Sequence, residues 1–185
     1  MFKSHVEKHK GEPQSNFDFK MMSAFFSIRD IFKKPKVILE NADIKVDDYV
    51  LDYGCGPGSY SMVAAELVGP NGQVFAVDRH PLAIKKVNKK AVKRGLNNIT
   101  TIQTNCKTDL KSCIIDVIFC FDTFHSFTQP KDNLSEFHRI LKNNGALYIM
   151  DTHLFEDDLI LSITGRGLFE FSEKRDEVYK FIKSN

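Results

Sequence analysis

The sequence has 185 residues, of which 42% are hydrophobic and 27% are charged, and its formal net charge is +2. These values are typical of a single folded domain with one core, and they exclude an intrinsically disordered chain. No apolar run approaches the about 18 residues of a membrane-spanning helix, and the first ten residues lack the apolar segment of a secretory signal, so we expect a cytoplasmic protein with no membrane partner.

The first 45 residues differ in composition from the rest of the chain. Residues 1–13 are polar and rich in lysine and histidine, which predicts a flexible tail. Residues 17–32 carry a dense set of Phe and Met side chains, some of them at helical spacing. We therefore predict a single domain over 14–185, with an N-terminal helical region over 14–45 and an α/β core over 46–185.

From residue 37 onward, segments with helix character alternate with segments with strand character. The predicted helices lie at 37–42, 59–68, 81–94, 134–141 and 154–163. The predicted strands lie at 49–52, 74–78, 99–104, 114–121 and 146–150, and a hairpin of 167–171 and 177–182 follows them. This alternation predicts a doubly wound, mostly parallel α/β sheet with a C-terminal antiparallel hairpin.

The first predicted strand of this region runs directly into a glycine-rich turn over 54–58 that opens a helix. Glycine lets the backbone turn sharply and lets a ligand approach closely. A dinucleotide fingerprint would place its third glycine at position 59, where this chain has Ser59. Asp52, which comes just before the turn, would repel a pyrophosphate but not a cationic group. The turn therefore predicts a nucleoside ligand that carries positive charge.

Asp78 ends the second predicted strand, 20 residues after Gly58. An acid at this place can accept hydrogen bonds from both hydroxyls of a ribose. The alternative is that Asp78 only caps the following helix. Its combination with Asp52 and the glycine-rich turn favours the ribose contact.

Three segments resemble motifs of the class I S-adenosylmethionine-dependent methyltransferases, those that act on small molecules. VLDYGCGPGSY at 50–60 resembles their first motif, VFAVDRHP at 74–81 their second, and LKNNGALYIMD at 141–151 the segment that leads into a later strand. The last segment has two asparagines where the family commonly has Pro-Gly. The resemblance runs from about residue 48 to the C-terminus. It implies a Rossmann-like sheet of seven strands, with S-adenosylmethionine as cofactor and S-adenosylhomocysteine as product.

The resemblance also implies a set of cofactor-binding residues. Its members are Asp52, Tyr53, Gly54, Gly56, Gly58, Asp78, Arg79, Asn105, Cys106 and Phe121. Asp78 would hold the ribose, Asn105 would accept a hydrogen bond from the adenine amino group, and Phe121 would offer its backbone carbonyl to the cofactor's amino group. An ordinary turn residue is the alternative for Asn105. In this family the residues before the first strand often fold over the cofactor, so we predict that 17–32 form a lid, with a permanently docked helix as the alternative.

The catalytic residues are left open by the sequence. Methyl transfer by in-line displacement needs alignment and exclusion of water, and it needs a general base only where the acceptor loses a proton. Asp122 and His125, just after the fourth predicted strand, are candidates for acceptor contact and for this base. Each could equally cap or pack a helix. His153, after the fifth strand, is a weaker candidate at the rim.

A small molecule is the acceptor that the sequence favours. The chain lacks the Asn/Asp-Pro-Pro-Tyr/Phe motif of enzymes that methylate adenine or glutamine nitrogens. The lysine-rich helix over 81–94 lacks interleaved aromatic residues, so no nucleic-acid partner is expected. The alternatives are an RNA or protein methyltransferase, a nucleotide-binding oxidoreductase, and a cofactor-binding module without catalysis. The oligomeric state is not indicated.

The four cysteines are Cys55, Cys106, Cys113 and Cys120, and they form no CxxC pair. This spacing favours free thiols in a reducing compartment over a zinc knuckle or a thioredoxin-type site. No metal site is predicted.

Overall fold

The computed structural model describes Ser15, Met21 and residues 35–184. The predicted tail over 1–13 lies outside the described residues, and so does the predicted lid over 17–32 apart from Met21. No helix in the described part of the chain has the length and apolar character needed to cross a membrane.

The described residues form five α-helices and seven strands. The α-helices are α1 (Pro35–Leu39), α2 (Ser59–Val68), α3 (Pro81–Arg94), α4 (Pro130–Ile140) and α5 (Glu156–Thr164), and short 3-10 helices cover Glu40–Ala42 and Phe124–Ser126. The strands are β1 (Tyr49–Tyr53), β2 (Gln73–Asp78), β3 (Ile99–Gln103), β4 (Ile115–Phe121), β5 (Leu141–Met150), β6 (Phe169–Arg175) and β7 (Val178–Lys183).

The strands make one sheet in the order β3-β2-β1-β4-β5-β7-β6. The pairs among β1 to β5 are parallel, and β7 runs antiparallel to both β5 and β6. The prediction of a doubly wound, mostly parallel sheet with a C-terminal antiparallel hairpin is confirmed. Strands β2 and β3 are added on one side of β1, and β4 is added on the other. The carboxyl ends of β1 and β4 therefore flank a crevice, the usual place for a ligand in such a sheet.

Successive residues of the central strands pack on opposite faces of the sheet. Leu51 of β1 and Ile118 of β4 are fully buried in a cluster with Phe137 of α4. Their neighbours Val50 and Phe119 are fully buried on the other face, in a cluster that includes side chains of α1 and α2. Because both faces are covered, the central strands are almost wholly apolar, and polar groups are left to the strand ends.

Helix α3 begins and ends where its sequence signals place it. The imidazole Nδ1 of His80 accepts a hydrogen bond from the N–H of Leu82 at 3.2 Å, and Pro81 occupies the first helical position. Gly95 ends the helix with φ at +67°, which glycine adopts without strain. The fixed start of α3 holds the residues after β2 at the edge of the sheet, beside the crevice.

The segment between α4 and β5 differs from its prediction. Helix α4 begins at Pro130 rather than 134, and β5 begins at Leu141, so the predicted turn over 143–145 lies within the strand. The pairing moves from Ile115 opposite Leu141 to Val117 opposite Ala146, and the extra residues of β5 therefore form an irregularity in the strand. Gly145 is required there because a Cβ would come within 2.7 Å of the Asp116 carbonyl oxygen.

Candidate functional site

A cavity opens at the carboxyl ends of β1, β2, β3 and β4. The turn after β1 and the end of β2 provide one part of its wall, and Thr104 and Asn105 after β3 extend this part. The end of β4 and the loop after it provide another part through residues 121–123 and 126–128. The cavity therefore lies at the crevice that the strand order creates.

The turn after β1 is held in place by the protein itself. The N–H groups of Gly54 and Cys55 both donate hydrogen bonds to the carbonyl oxygen of Val77, at 2.8 and 2.9 Å. Gly54 has φ at +80°, and a Cβ there would overlap the side chain of Thr123 in the loop after β4. The turn is thus fastened to β2 on one side and packed against the β4 loop on the other.

Gly58, at the start of α2, does not line the cavity. Its φ is +82°, and a Cβ would lie 2.7 Å from the Cγ2 of Val87 in α3. The glycine therefore permits both the left-handed backbone and the close packing of α2 on α3. Its predicted contact with the cofactor stays a prediction.

Asp78 lies in the cavity wall and connects two of its parts. Its Oδ2 accepts a hydrogen bond from the N–H of Gly56 at 2.9 Å, and its Oδ1 accepts one from the N–H of His80 at 2.8 Å. Burial raises the pKa of Asp78, and these two hydrogen bonds counteract part of that effect. Each carboxylate oxygen has acceptor capacity beyond a single hydrogen bond, so Asp78 can still bind hydroxyl groups of a ligand.

Asp52 is buried behind the turn and does not line the cavity. It is 3% exposed, and the hydroxyl of Ser61 in α2 donates a hydrogen bond to its Oδ2. Burial raises the pKa of Asp52 to about 7, the Ser61 hydrogen bond opposes this, and the charge of Asp78 adds to it. Any effect of Asp52 on a ligand would therefore act through its charge or through water, and its predicted role stays a prediction.

A hydrogen-bonded amide joins the cavity wall near Asn105 to the end of β1. The Asn133 side chain in α4 is 1% exposed, and its Nδ2 donates to the Tyr53 hydroxyl at 2.6 Å and to the Asn105 carbonyl oxygen at 3.1 Å. Tyr53 also packs edge to face against Phe127 and Phe137. Sequence reasoning missed Asn133, which lies in a helix with no motif.

Of the two predicted cofactor-binding residues after β3, Asn105 lines the cavity and Cys106 does not.

The loop after β4 turns sharply at Asp122. This residue has φ at +50°, its N–H donates to the Met150 carbonyl oxygen at 2.7 Å, and its Oδ1 accepts hydrogen bonds from the N–H and hydroxyl of Thr152. The Thr123 hydroxyl donates to the Phe121 carbonyl oxygen at 3.1 Å. Asp122, Thr123 and Phe121 all line the cavity. This loop therefore places Asp122 and Thr123 in the cavity wall, next to the glycine-rich turn.

His125 lies on the same loop but does not line the cavity. Its backbone N–H and its Nδ1 each lie 2.9 Å from Oδ2 of Asp151, the residue that follows β5. Burial alone would raise the pKa of Asp151, but the hydrogen bonds of His125 bring this pKa below its ordinary value. His153, the predicted rim residue, stacks beside the His125 ring. Sequence reasoning missed Asp151, for which the signal is an acid directly after a buried strand.

A family model described as "Methyltransferase domain" matches residues 44–179. The chain is 27% identical over 158 residues to the ubiquinone/menaquinone biosynthesis C-methyltransferase of Wigglesworthia glossinidia brevipalpis, covering 84% of this chain and 58% of that relative. It is 25% identical over 132 residues to the demethylmenaquinone methyltransferase of Geobacillus stearothermophilus, covering 71% of this chain and 56% of that relative. It is 35% identical over 65 residues to the protein-L-isoaspartate O-methyltransferase of Ignicoccus hospitalis, covering 35% of this chain and 31% of that relative. The chain thus spans between 31% and 58% of the length of these relatives.

Two solved structures have the same fold. A S-adenosylmethionine-dependent methyltransferase from Aquifex aeolicus superposes with a TM-score of 0.73 at 24% identity, over 80% of this chain and 89% of that one. A protein from Methanococcus maripaludis, described as a candidate S-adenosylmethionine-dependent methyltransferase, superposes with a TM-score of 0.76 at 17% identity, over 94% and 96% of the two chains. At this level of identity the likeness concerns the fold.

Proposed function

This chain belongs to the class I S-adenosylmethionine-dependent methyltransferase family, and we propose that it transfers a methyl group from S-adenosylmethionine to a small organic acceptor. The observation that carries the proposal is the set of residues that line the cavity. One wall has the glycine-rich turn and Asp78, and the adjoining wall has Asp122 and Thr123 of the β4 loop. A donor held on the first wall would lie beside an acceptor held on the second.

The residues of the first wall suit the cofactor. Asp78 offers a carboxylate to the ribose hydroxyls, and Asn105 offers an amide to the adenine. The turn around Gly54 and Gly56 supplies backbone without side chains at the place where the ligand approaches most closely. The cofactor, when bound, supplies an electrophilic methyl carbon on a positively charged sulfur. We propose that Tyr53, Arg79 and the Phe121 carbonyl complete this binding set.

The aromatic residues of the cavity suit a small acceptor with an aromatic part. Tyr60 and Phe121 pack edge to face with ring centroids 5.2 Å apart, and Phe127 joins them in lining the cavity. Aromatic walls with a few hydroxyl groups favour a flat ligand that has polar substituents. Two relatives that each match more than two thirds of this chain have names that refer to ubiquinone or menaquinone compounds, which agrees with such an acceptor.

Asp122 is the group that we propose to contact the acceptor. Asp122 lines the cavity, and the hydrogen bonds of Thr152 to its Oδ1 fix the orientation of its carboxylate. From this position Asp122 can hold an acceptor hydroxyl, or take its proton where the acceptor must lose one. His125 does not line the cavity, so we do not place it at the acceptor.

Transfer of labelled methyl groups into a fractionated cell extract tests the proposal. We expect label from S-adenosylmethionine to appear in the small-molecule fraction with the unmodified chain, and to be reduced with Asp78→Ala. Label in RNA or protein would contradict the small-molecule acceptor, although it would leave methyl transfer intact. Calorimetric titration with S-adenosylmethionine and with NAD tests the cofactor separately, and binding of NAD alone would contradict the donor.

A cytoplasmic location and the absence of a nucleic-acid partner belong to the same proposal. The first is supported by the four cysteines, which are all free thiols, and the second by the lack of aromatic residues within the lysine-rich helix α3. A lid over 17–32 is also part of the proposal. It is supported by the Phe and Met content of that segment.

A further inference from the structure

We propose that His125, Asp151 and His153 form a binding site for one divalent transition-metal ion, with Zn²⁺ as the representative case. His125 lies in the 3-10 helix after β4, and the other two residues follow β5. Because β4 and β5 are parallel neighbours, their carboxyl ends bring these residues to the same edge of the sheet. Imidazole and carboxylate groups are the ligands that zinc and its neighbours take in proteins.

The distances between the ligand atoms suit a metal ion. The Nδ1 of His125 lies 2.9 and 3.0 Å from the two carboxylate oxygens of Asp151, and the Nδ1 of His153 lies 3.5 Å from Oδ1. One ligand atom from each residue can be chosen so that all lie within 4.8 Å of one another. Two ligands bound at about 2.1 Å to a tetrahedral or octahedral ion lie roughly 3.0–3.4 Å apart. Small movements of the side chains would therefore bring all three onto one ion.

The carboxylate at the centre of the cluster is held in position by the backbone. The N–H of His125 donates to Oδ2 of Asp151 at 2.9 Å, and the N–H of His153 donates to Oδ1 at 3.1 Å. The Asp151 side chain has no exposed surface, so its orientation is fixed by these contacts. Outer hydrogen bonds of this kind orient the ligands in known metal sites. An imidazole can bind an ion through Nδ1 in the tautomer that carries its proton on Nε2.

The cluster has an open side. The His153 side chain is 49% exposed, which gives an ion a path from solvent. Three protein ligands also leave at least one coordination position for water or another small ligand. The proposal does not depend on the identity of the methyl acceptor. It departs from the expectation of no metal site, because the sequence separates His125 from the other two ligands by more than twenty residues.

Titration of the full chain with Co²⁺ and Zn²⁺ tests the site. Because the tail carries His5 and His9, the titrations use the chain with His5→Gln and His9→Gln. We expect one Co²⁺ per chain with a visible absorption band, displacement of that band by Zn²⁺, and a higher melting temperature in the presence of Zn²⁺. These readouts do not require a methyl acceptor.

Substitution of a ligand separates this site from other metal-binding groups. Because His153 is half-exposed, we expect His153→Ala to fold and to weaken Co²⁺ binding about 100-fold or more. His138→Ala, which removes an imidazole in α4 that packs against Phe169, is the matched control and should bind as before. Binding that His153→Ala and Asp151→Asn both leave unchanged would overturn the proposal, and so would the absence of saturable binding in the unsubstituted protein.

Discussion

The carboxylate of Asp78 accepts a hydrogen bond from the backbone N–H of Gly56 at 2.9 Å, and this bond connects the end of β2 to the glycine-rich turn after β1. The acid that we propose to bind the ribose therefore also shapes the turn that lies beside the cofactor. A change at Asp78 is expected to affect both functions together.

We expect Asp78→Ala to weaken S-adenosylmethionine binding by about 1.5–3 kcal/mol, because it removes a charge-assisted acceptor and releases the Gly56 N–H. Asp78→Asn keeps one acceptor oxygen, so we expect it to lose less affinity for S-adenosylmethionine. Isothermal titration calorimetry measures both effects, and Asp157→Ala, an exposed substitution on α5, is the control. Equal affinity of Asp78→Ala and the unmodified chain would remove Asp78 from the site.

Gly58→Ala is expected to destabilise the fold by about 2–4 kcal/mol. The new Cβ would lie 2.7 Å from the Val87 side chain, and the alanine would have to adopt a left-handed backbone conformation. The double variant with Val87→Ala should recover the stability lost through overpacking. It should not recover the stability lost through the left-handed backbone. Urea unfolding gives the two free energies. If adding Val87→Ala restored no stability, the contact between α2 and α3 would not be the cause of the destabilisation.

Removal of the Asn133 side chain should weaken both the fold and cofactor binding. In Asn133→Ala, the Asn105 carbonyl and the Tyr53 hydroxyl lose the hydrogen bonds that the Asn133 amide donates to them. We expect this to lower the free energy of unfolding by about 1–3 kcal/mol. Tyr53→Phe removes only one of the two hydrogen bonds and should cost less. A double-mutant cycle read by urea unfolding and by calorimetry tests the coupling, and additive effects would contradict it.

The buried carboxyl of Asp52 gives a pH dependence of stability. Its pKa is about 7 in the folded protein, above the ordinary value in the unfolded chain. Between about pH 4 and 7 the folded state therefore keeps a proton that the unfolded chain has lost, so stability from this group falls as pH rises, by at most about 1.4 kcal/mol per pH unit.

Asp52→Asn should remove this contribution, since an amide does not titrate. The burial that raises the pKa of Asp78 acts with the same sign and persists in the variant, so the difference between the two pH curves is the informative quantity. Urea unfolding at several pH values between 5 and 8 measures it. Parallel curves would show that Asp52 is ionised throughout this range.

A chain that begins at Pro35 tests the lid over 17–32. We expect it to fold with a small loss in melting temperature, to bind S-adenosylmethionine more weakly and to show no turnover. Insoluble protein or a loss of many degrees would favour the alternative of a permanently docked helix. Full cofactor affinity in the shortened chain would contradict the lid.

Local sequence patterns were sufficient for the sheet and for part of the site. The apolar strands, the turn over 54–58 and Asp78 at the end of β2 are each visible within about ten residues of sequence. The position of Asp52 behind the turn could not be predicted in this way, because it depends on the hydroxyl of Ser61 and on the packing of α2.

Contacts between distant parts of the chain were also missed. The hydrogen bond from Asn133 to Tyr53 joins residues 80 positions apart, and that of His125 to Asp151 joins residues 26 positions apart. No periodicity or motif in either segment records its partner. The irregular start of β5 was missed for a related reason, since Asn143-Asn144-Gly145 is typical of a turn and becomes a strand only through its pairing partners.

The close packing of Gly54 against Thr123 has a consequence for kinetics. Gly54 belongs to the turn that we propose to hold the donor, and Thr123 belongs to the loop that we propose to hold the acceptor. Because the turn and the loop are in direct contact, a donor that fixes the turn also fixes the loop. The two substrates are then expected to add in a compulsory sequence with the donor first, and S-adenosylhomocysteine is expected to leave last and to inhibit competitively against the donor alone.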